Sequence, residues 1–248
     1  VDGVQPLTRA FDGFLLHSRG GAPLPLGEPG GATDIAAAVG GDPVAIRTDL
    51  DVPVFMLQSE TDLVSLIGFA PARQDDTDRI RTWEVAGTAH ADTTLLGPVA
   101  DTLTCGAPVN HGPMVIVAPT ALHHLDAWVR DGTEPPHGTP IELTADGAAV
   151  ARDADGIALG GVRLPEVEAP TEVLSGDPGP DSASSVICLL AGSSTPMTDA
   201  QLAARYPNRA AYEDEYAEAS DAAVAAGFVL EADRPLLDAD AAPDRIAA

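Results

Sequence analysis

Lysine is absent from this chain. All 13 basic residues are arginine, set against 38 Asp and Glu, so the formal net charge over 248 residues is −25. That shortage of positive charge argues against a nucleic-acid partner, because neutralising phosphates takes clustered Lys and Arg. It disfavours anionic membrane surfaces for the same reason. Without a Lys there is no Walker-type phosphate loop, so Gly20-Gly21, Gly30-Gly31 and Gly40-Gly41 read as flexible loop. Cysteine is nearly absent as well. Cys105 and Cys188 are too few for a disulfide scaffold or a structural zinc site, and their spacing leaves one bridge and two free thiols equally open. Long apolar runs are missing too: none approaches the ~20 residues that span a bilayer. The first residues, Val1-Asp2-Gly3-Val4-Gln5-Pro6, show neither the basic nor the apolar region of a signal peptide. Localisation is left open.

What is present is a globular composition. Hydrophobic residues make up 45%, enough to build a core, and 24 Gly with 22 Pro stay below the low-complexity range. The acid load is even: residues 1–150 carry 20 acids and 7 Arg, net −13, and residues 151–248 carry 18 and 6, net −12. No charged tail stands apart, and the length suits one large domain or two small ones.

Hydrophobic patterning supplies the elements. Residues 11–18 (FDGFLLHS) read as a short buried strand, followed by a Gly/Pro-rich loop and a short helix over 35–39 capped by Thr33-Asp34. Residues 52–58 (VPVFMLQ) are the continuous apolar run of a strand buried on both faces, as in a parallel sheet, with 59–62 (SETD) a polar turn at its end. Residues 79–85 (RIRTWEV) alternate and predict another strand, ended by Gly87. The runs 114–118 and 186–191 suit strands or buried helix turns. Leu122, Leu125, Trp128 and Val129 lie at helical spacing over 119–130, stopped by Asp131-Gly132 and Pro135-Pro136. Past 140 the texture changes: short strands joined by Asp-Gly turns over 141–161, an extended Pro-rich stretch over 165–180, and helices over 198–204 and 209–227. Strands separated by a crossover indicate an α/β architecture.

Two loop residues carry the chemistry. Asp62 follows the 52–58 strand and His90 follows the 79–85 strand, in Gly87-Thr88-Ala89-His90-Ala91-Asp92. Sites in open α/β sheets form at the carboxyl ends of strands. An acid and a histidine on neighbouring loops there can hydrogen-bond, which fixes the imidazole tautomer for general-base work. Acid before His is the order of the last two members of an α/β-hydrolase triad. Glu60 lies in the same turn and is the alternative acid; position within the turn favours Asp62. Other clusters are weaker. His123-His124 point about 100° apart on a helix and cannot chelate one ion together. His90-Ala91-Asp92 lacks the partners of a metal triad. Asp153-Ala154-Asp155-Gly156 departs from a calcium loop at Ile157, Ala158 and Leu164 and reads as a hairpin turn. Trp83 and Trp128 are core residues by pattern. No cofactor is expected.

The segments VPVFMLQSETD (52–62), RIRTWEVAGTAHAD (79–92), CGAPVN (105–110), LHHLDAWVRDGTEPP (122–136), GIALGGVRLPEVEAPT (156–171) and RYPNRAAYEDEY (205–216) together resemble the C-terminal half of a bacterial α/β-hydrolase domain family whose members resemble serine hydrolases. The resemblance covers nearly the whole chain. It implies the C-terminal half of an α/β-hydrolase core over 1–140, the last strands of a mostly parallel sheet with flanking helices, with an inserted loop or cap at 19–48, and an irregular α+β family-specific extension over 141–248 packing on that core. It also implies the triad acid at Asp62 (or Glu60), the base at His90, and acyl transfer on a small ester-type substrate, with amides and lactones as further options. Asn110 and Arg163 recur in the family phrases and are expected only to hold loops.

One feature departs from the pattern. No G-x-S-x-G nucleophile elbow occurs; the nearest look-alike, Gly192-Ser193-Ser194-Thr195-Pro196, lacks the last Gly, lies after the His and reads as a turn. The nucleophile is therefore expected on an N-terminal segment or companion chain. The alternative is a non-catalytic binding module of the same shell.

Overall fold

The apolar runs become three parallel strands: β1 (Phe14–His17), β2 (Val54–Ser59) and β3 (Ile80–Val85), in the order β1-β2-β3. The computed structural model describes residues 1–24 and 41–247. The helix expected over 35–39, its Thr33-Asp34 cap and part of the 19–48 loop lie outside the described residues. Every residue of β2 is buried. Val54 and Met56 point into one core, with Leu63, Phe69, Tyr206, Tyr212 and Tyr216. Phe55 and Leu57 point into the other, with Trp83, Val117, Leu125 and Trp128. A central strand covered on both faces is what a continuous apolar run encodes.

The chain begins with a short helix, α1 (Gln5–Thr8). β2 runs straight into α2 (Glu60–Leu63), where a polar turn was expected. A single helical turn forms because the Asp62 side chain reaches back to the Ser59 N–H at 2.7 Å, supplying a partner for an amide at the helix start. After β3, a loop leads into α3 (Thr93–Leu96), capped by Asp92 accepting from the Leu95 N–H. The long helix α4 (Met114–Asp131) starts earlier than the expected Pro119 and carries that proline inside it. Buried Met114, Ile116 and Val117 hold its first turns. The buried stripe is Met114, Val117, Ala121, Leu125 and Trp128, so Leu122, one position off that stripe, is exposed instead of facing the core. α4 lies against β1 and β2.

Residues 141–161 pair only through isolated bridges, Ile141 with Gly160, Leu143 with Val150 and Arg152 with Ala158. Both Asp-Gly turns place their glycine at positive φ. Val162 then adds to the outer side of β3, where the Ala86 N–H donates to the Val162 carbonyl at 3.0 Å. The stretch 165–180 is not extended throughout. It holds α5 (Pro165–Glu168), with proline at its first position, and β4 (Glu172–Ser175). α6 (Val186–Leu190) follows. The 192–196 segment, expected as a turn, is β5 (Ser193–Pro196), antiparallel to β4. A strand of hydroxyl side chains has no apolar alternation to reveal it. α7 (Asp199–Arg205), α8 (Arg209–Ala225) and α9 (Arg234–Asp240) close the chain. Cys105 and Cys188 form a disulfide. Among the described residues no helix is long and apolar enough to cross a membrane.

Candidate active site

All three strands point their carboxyl ends the same way, and the register sets His17 level with Leu57, and Ser59 level with Val85. Residues just past these ends therefore converge. Asp62 leaves β2 on α2 and is fully buried. Its Oδ2 accepts the Ser59 N–H, which orients the carboxylate and leaves Oδ1 to the neighbouring loop. There His90 Nδ1 lies 2.7 Å from Asp62 Oδ1. The pair expected from chain order is thus in contact. The hydrogen bond to Asp62 raises the His90 pKa, and burial opposes it. The side chain keeps 26% exposure, so Nε2, which has no partner among the described residues, faces outward. A histidine held at Nδ1 by a buried carboxylate presents Nε2 as the basic atom.

Glu60 has a different job. One oxygen accepts from the Gly87 N–H at 2.8 Å, and the other accepts from the Gly176 N–H at 2.9 Å and pairs with Arg152. Arg152 also pairs with Asp177. Glu60 thus ties the acid turn to the His90 loop and to the segment after β4, and does not touch His90. Gly87 makes this close meeting feasible. It sits at φ +71°, and a Cβ there would fall 2.7 Å from Val167 Cγ2. Asn110, fully buried, donates to the carbonyls of Gly87 at 3.0 Å and Ser175 at 3.1 Å, and its Oδ1 accepts from Gly112. The Ala91 N–H donates to the Leu190 carbonyl. α6, which carries Leu190, is anchored by the disulfide at Cys188.

His17, the last residue of β1, also lies at this end of the sheet. Desolvation lowers its pKa first, and the charges of Asp62, His90 and Asp92 act on it. The rule that pointed to Asp62 and His90, position at a strand's carboxyl end, would also have found it. Ser18 follows at φ +53°, the left-handed turn a nucleophile elbow uses. Its Oγ is closed to solvent and has no partner, so it does not reach His90. His123 is exposed and His124 half-buried, with Nε2 bonded to the Gly227 carbonyl. Arg163 pairs with Glu168. Asp153 caps the Asp-Gly turn, and no described group of three His, Cys, Asp or Glu is arranged to hold a metal.

A buried acid and a histidine thus meet just past the carboxyl ends of adjacent parallel strands. The chain matches the α/β-hydrolase domain family over residues 1–238. It belongs to that family. No curated protein and no solved structure matches it. Membership makes this hydrolase an α/β protein, in agreement with the parallel sheet, its flanking helices and the small antiparallel β4–β5 pair.

Proposed function

We propose that this α/β hydrolase is a serine hydrolase acting on a small ester, with amides and lactones as related acyl donors. His90 is the general base and acid, and Asp62 holds it. The nucleophilic serine comes from outside these 248 residues, on an N-terminal segment or a companion chain. The observation that carries this reading is the 2.7 Å Asp62–His90 bond combined with the unpartnered, outward Nε2. The free side of β1 supports the second part. Among the described residues β1 pairs with β2 alone, leaving an edge on which another strand fits.

The serine Oγ attacks the ester carbonyl while His90 Nε2 takes its proton. The tetrahedral intermediate collapses, and His90 returns that proton to the leaving alcohol. Water then repeats the sequence on the acyl-enzyme and releases the acid. Asp62 stabilises the imidazolium at each stage. Glu60 and Arg152 hold the loops.

The test is turnover of p-nitrophenyl esters, with fluorophosphonate labelling, in the full-length protein. His90→Ala is expected to lower kcat by about 10³-fold or more, with Ser18→Ala close to the parent. Label is expected on a serine outside residues 1–248. An unlabelled protein whose rate ignores His90→Ala would identify a non-catalytic member of the family instead.

A further inference from the structure

Glu166 is a carboxylate sealed inside the fold without a partner. It stands in α5 between Pro165 and Val167, both buried. α5 packs on α8 and on β4. Both Glu166 oxygens are closed to solvent, and neither has a hydrogen-bond partner. An ionised carboxylate in that setting loses its hydration and gains no donor in return. The docked turn therefore favours the protonated form.

Among the described residues no cation pairs with it. From α8, Tyr212 and Tyr216 feel its charge. Tyr216 donates to the Leu237 carbonyl, and Tyr212 accepts from the Ala242 N–H. Arg209, at the start of α8, pairs with Asp244, and the acids of that helix are exposed. From β4, Glu172 is engaged with His111 at 2.9 Å, and Arg245 acts on Glu172. Within the α5 turn, Glu168 pairs with Arg163. Burial pushes the Glu166 carboxyl up to about 7; its own backbone opposes this, and Asp240 on α9 adds repulsion.

α5 is also a wall of the His90 loop. A Cβ on Gly87 would fall 2.7 Å from Val167 Cγ2, so the valine lies directly on the Gly87 backbone. Beyond α5, β4 leads to Ser175 and Gly176, which Asn110 and Glu60 tie to the same loop. We propose that Glu166 is a protonation-controlled latch: protonated, it keeps α5 docked on α8 and against Gly87, and ionised, it releases α5 and takes this wall from the His90 loop. The latch goes beyond the hydrolytic reading and stands whether or not His90 is a general base. Once α5 opens, the carboxyl meets water and titrates as an ordinary glutamate. Docking is therefore favoured fully below the ordinary glutamate value of 4.5, and that preference is lost as the pH rises through about 7.

Hydrogen exchange on the full-length protein, at about pH 5.5 and about pH 8, tests this. The reporters are the amides of Val167, Glu168 and Ala169, which close the α5 turn on Leu164 and Pro165, and the Gly87 amide, which donates to Glu60. With the intrinsic exchange rates divided out, protection at these amides is expected to fall about tenfold or more from the lower to the higher pH. Glu166→Gln carries no charge at either pH and should keep one level of protection at both. Glu166→Leu should do the same, and it carries the test if Glu166→Gln does not fold. Equal protection at both pH values in the parent overturns the proposal, as does a fall of the parent's size in the variants. A fall confined to the α5 amides, with Gly87 unmoved, overturns the reach of the latch to the His90 loop.

Discussion

At the scale of single residues, the site rests on one carboxylate with two assignments. Asp62 spends Oδ2 on its own helix start and Oδ1 on His90. Removing its charge while keeping its shape, as in Asp62→Asn, takes away the largest cause of the raised His90 pKa. In the proposed mechanism the neutral form of His90 does the work, so the ester rate is expected to climb with pH through a value above the ordinary 6.5 of histidine. In Asp62→Asn that limb moves to lower pH and the plateau falls. Stability runs the other way. A histidine raised in the folded state contributes stability that is fully present below pH 6.5 and is lost as pH rises through the folded value. A kcat/KM profile on parent and variant checks both the direction and the shift; a limb that stays put in Asp62→Asn would show that the pair does not set it. The contact between this pair was legible because Asp62 and His90 each come straight after a recognisable strand. His17 obeys the same positional rule, but a histidine that ends a four-residue strand reads first as part of the strand.

At the scale of elements, the strands 52–58 and 79–85 were readable because both faces of β2 are buried and Trp83 and Val85 repeat on one face of β3. The second sheet was not. β5 is Ser-Ser-Thr-Pro, and only its antiparallel pairing with β4 makes it a strand. α5 was masked by the prolines around it, although proline at the first helical position is favourable. The disulfide was undecidable from spacing, since pairing depends on a Cα separation, here 5.3 Å, that no sequence prints. Its placement makes a prediction at this scale. The bridge spans 83 residues and ties α6, whose Leu190 carbonyl receives the Ala91 N–H beside His90, to the segment that precedes Asn110. Cys105→Ser with Cys188→Ser is therefore expected to cost about 2–4 kcal/mol of stability and to depress turnover more than substrate affinity. Urea unfolding and steady-state kinetics of the double variant are the measurements. Unchanged kcat alongside the stability loss would mean that the His90 loop holds its place without the bridge.

At the scale of the whole molecule, charge dominates. The acids outnumber the arginines by 38 − 13 = 25, so negative charge is in large surplus. The arginines that are placed inward do bidentate or bridging work that lysine would perform less well. Arg73 grips both oxygens of buried Glu84. Arg81, fully buried, pairs with Asp76 and Glu134 and lies 5.7 Å from the Trp128 ring centre. Arg152 spans Glu60 and Asp177. Salt screens the most buried of these pairs, Arg73–Glu84 and Arg152–Glu60, less than the surplus charge on the surface. Raising NaCl from about 0.1 M to about 1 M contracts the Debye length from about 10 Å to about 3 Å. It should quench surface repulsion and leave the inward pairs intact. Tm is accordingly expected to rise by several degrees across that range, at constant pH and with most of the gain in the lower half. Sulfate would mix in its own exclusion effect, so chloride is the cleaner salt for the scan. A Tm that falls with NaCl would mean that exposed ion pairs such as Arg47–Asp49 and Arg234–Asp221 contribute more to the fold than the long-range repulsion takes away.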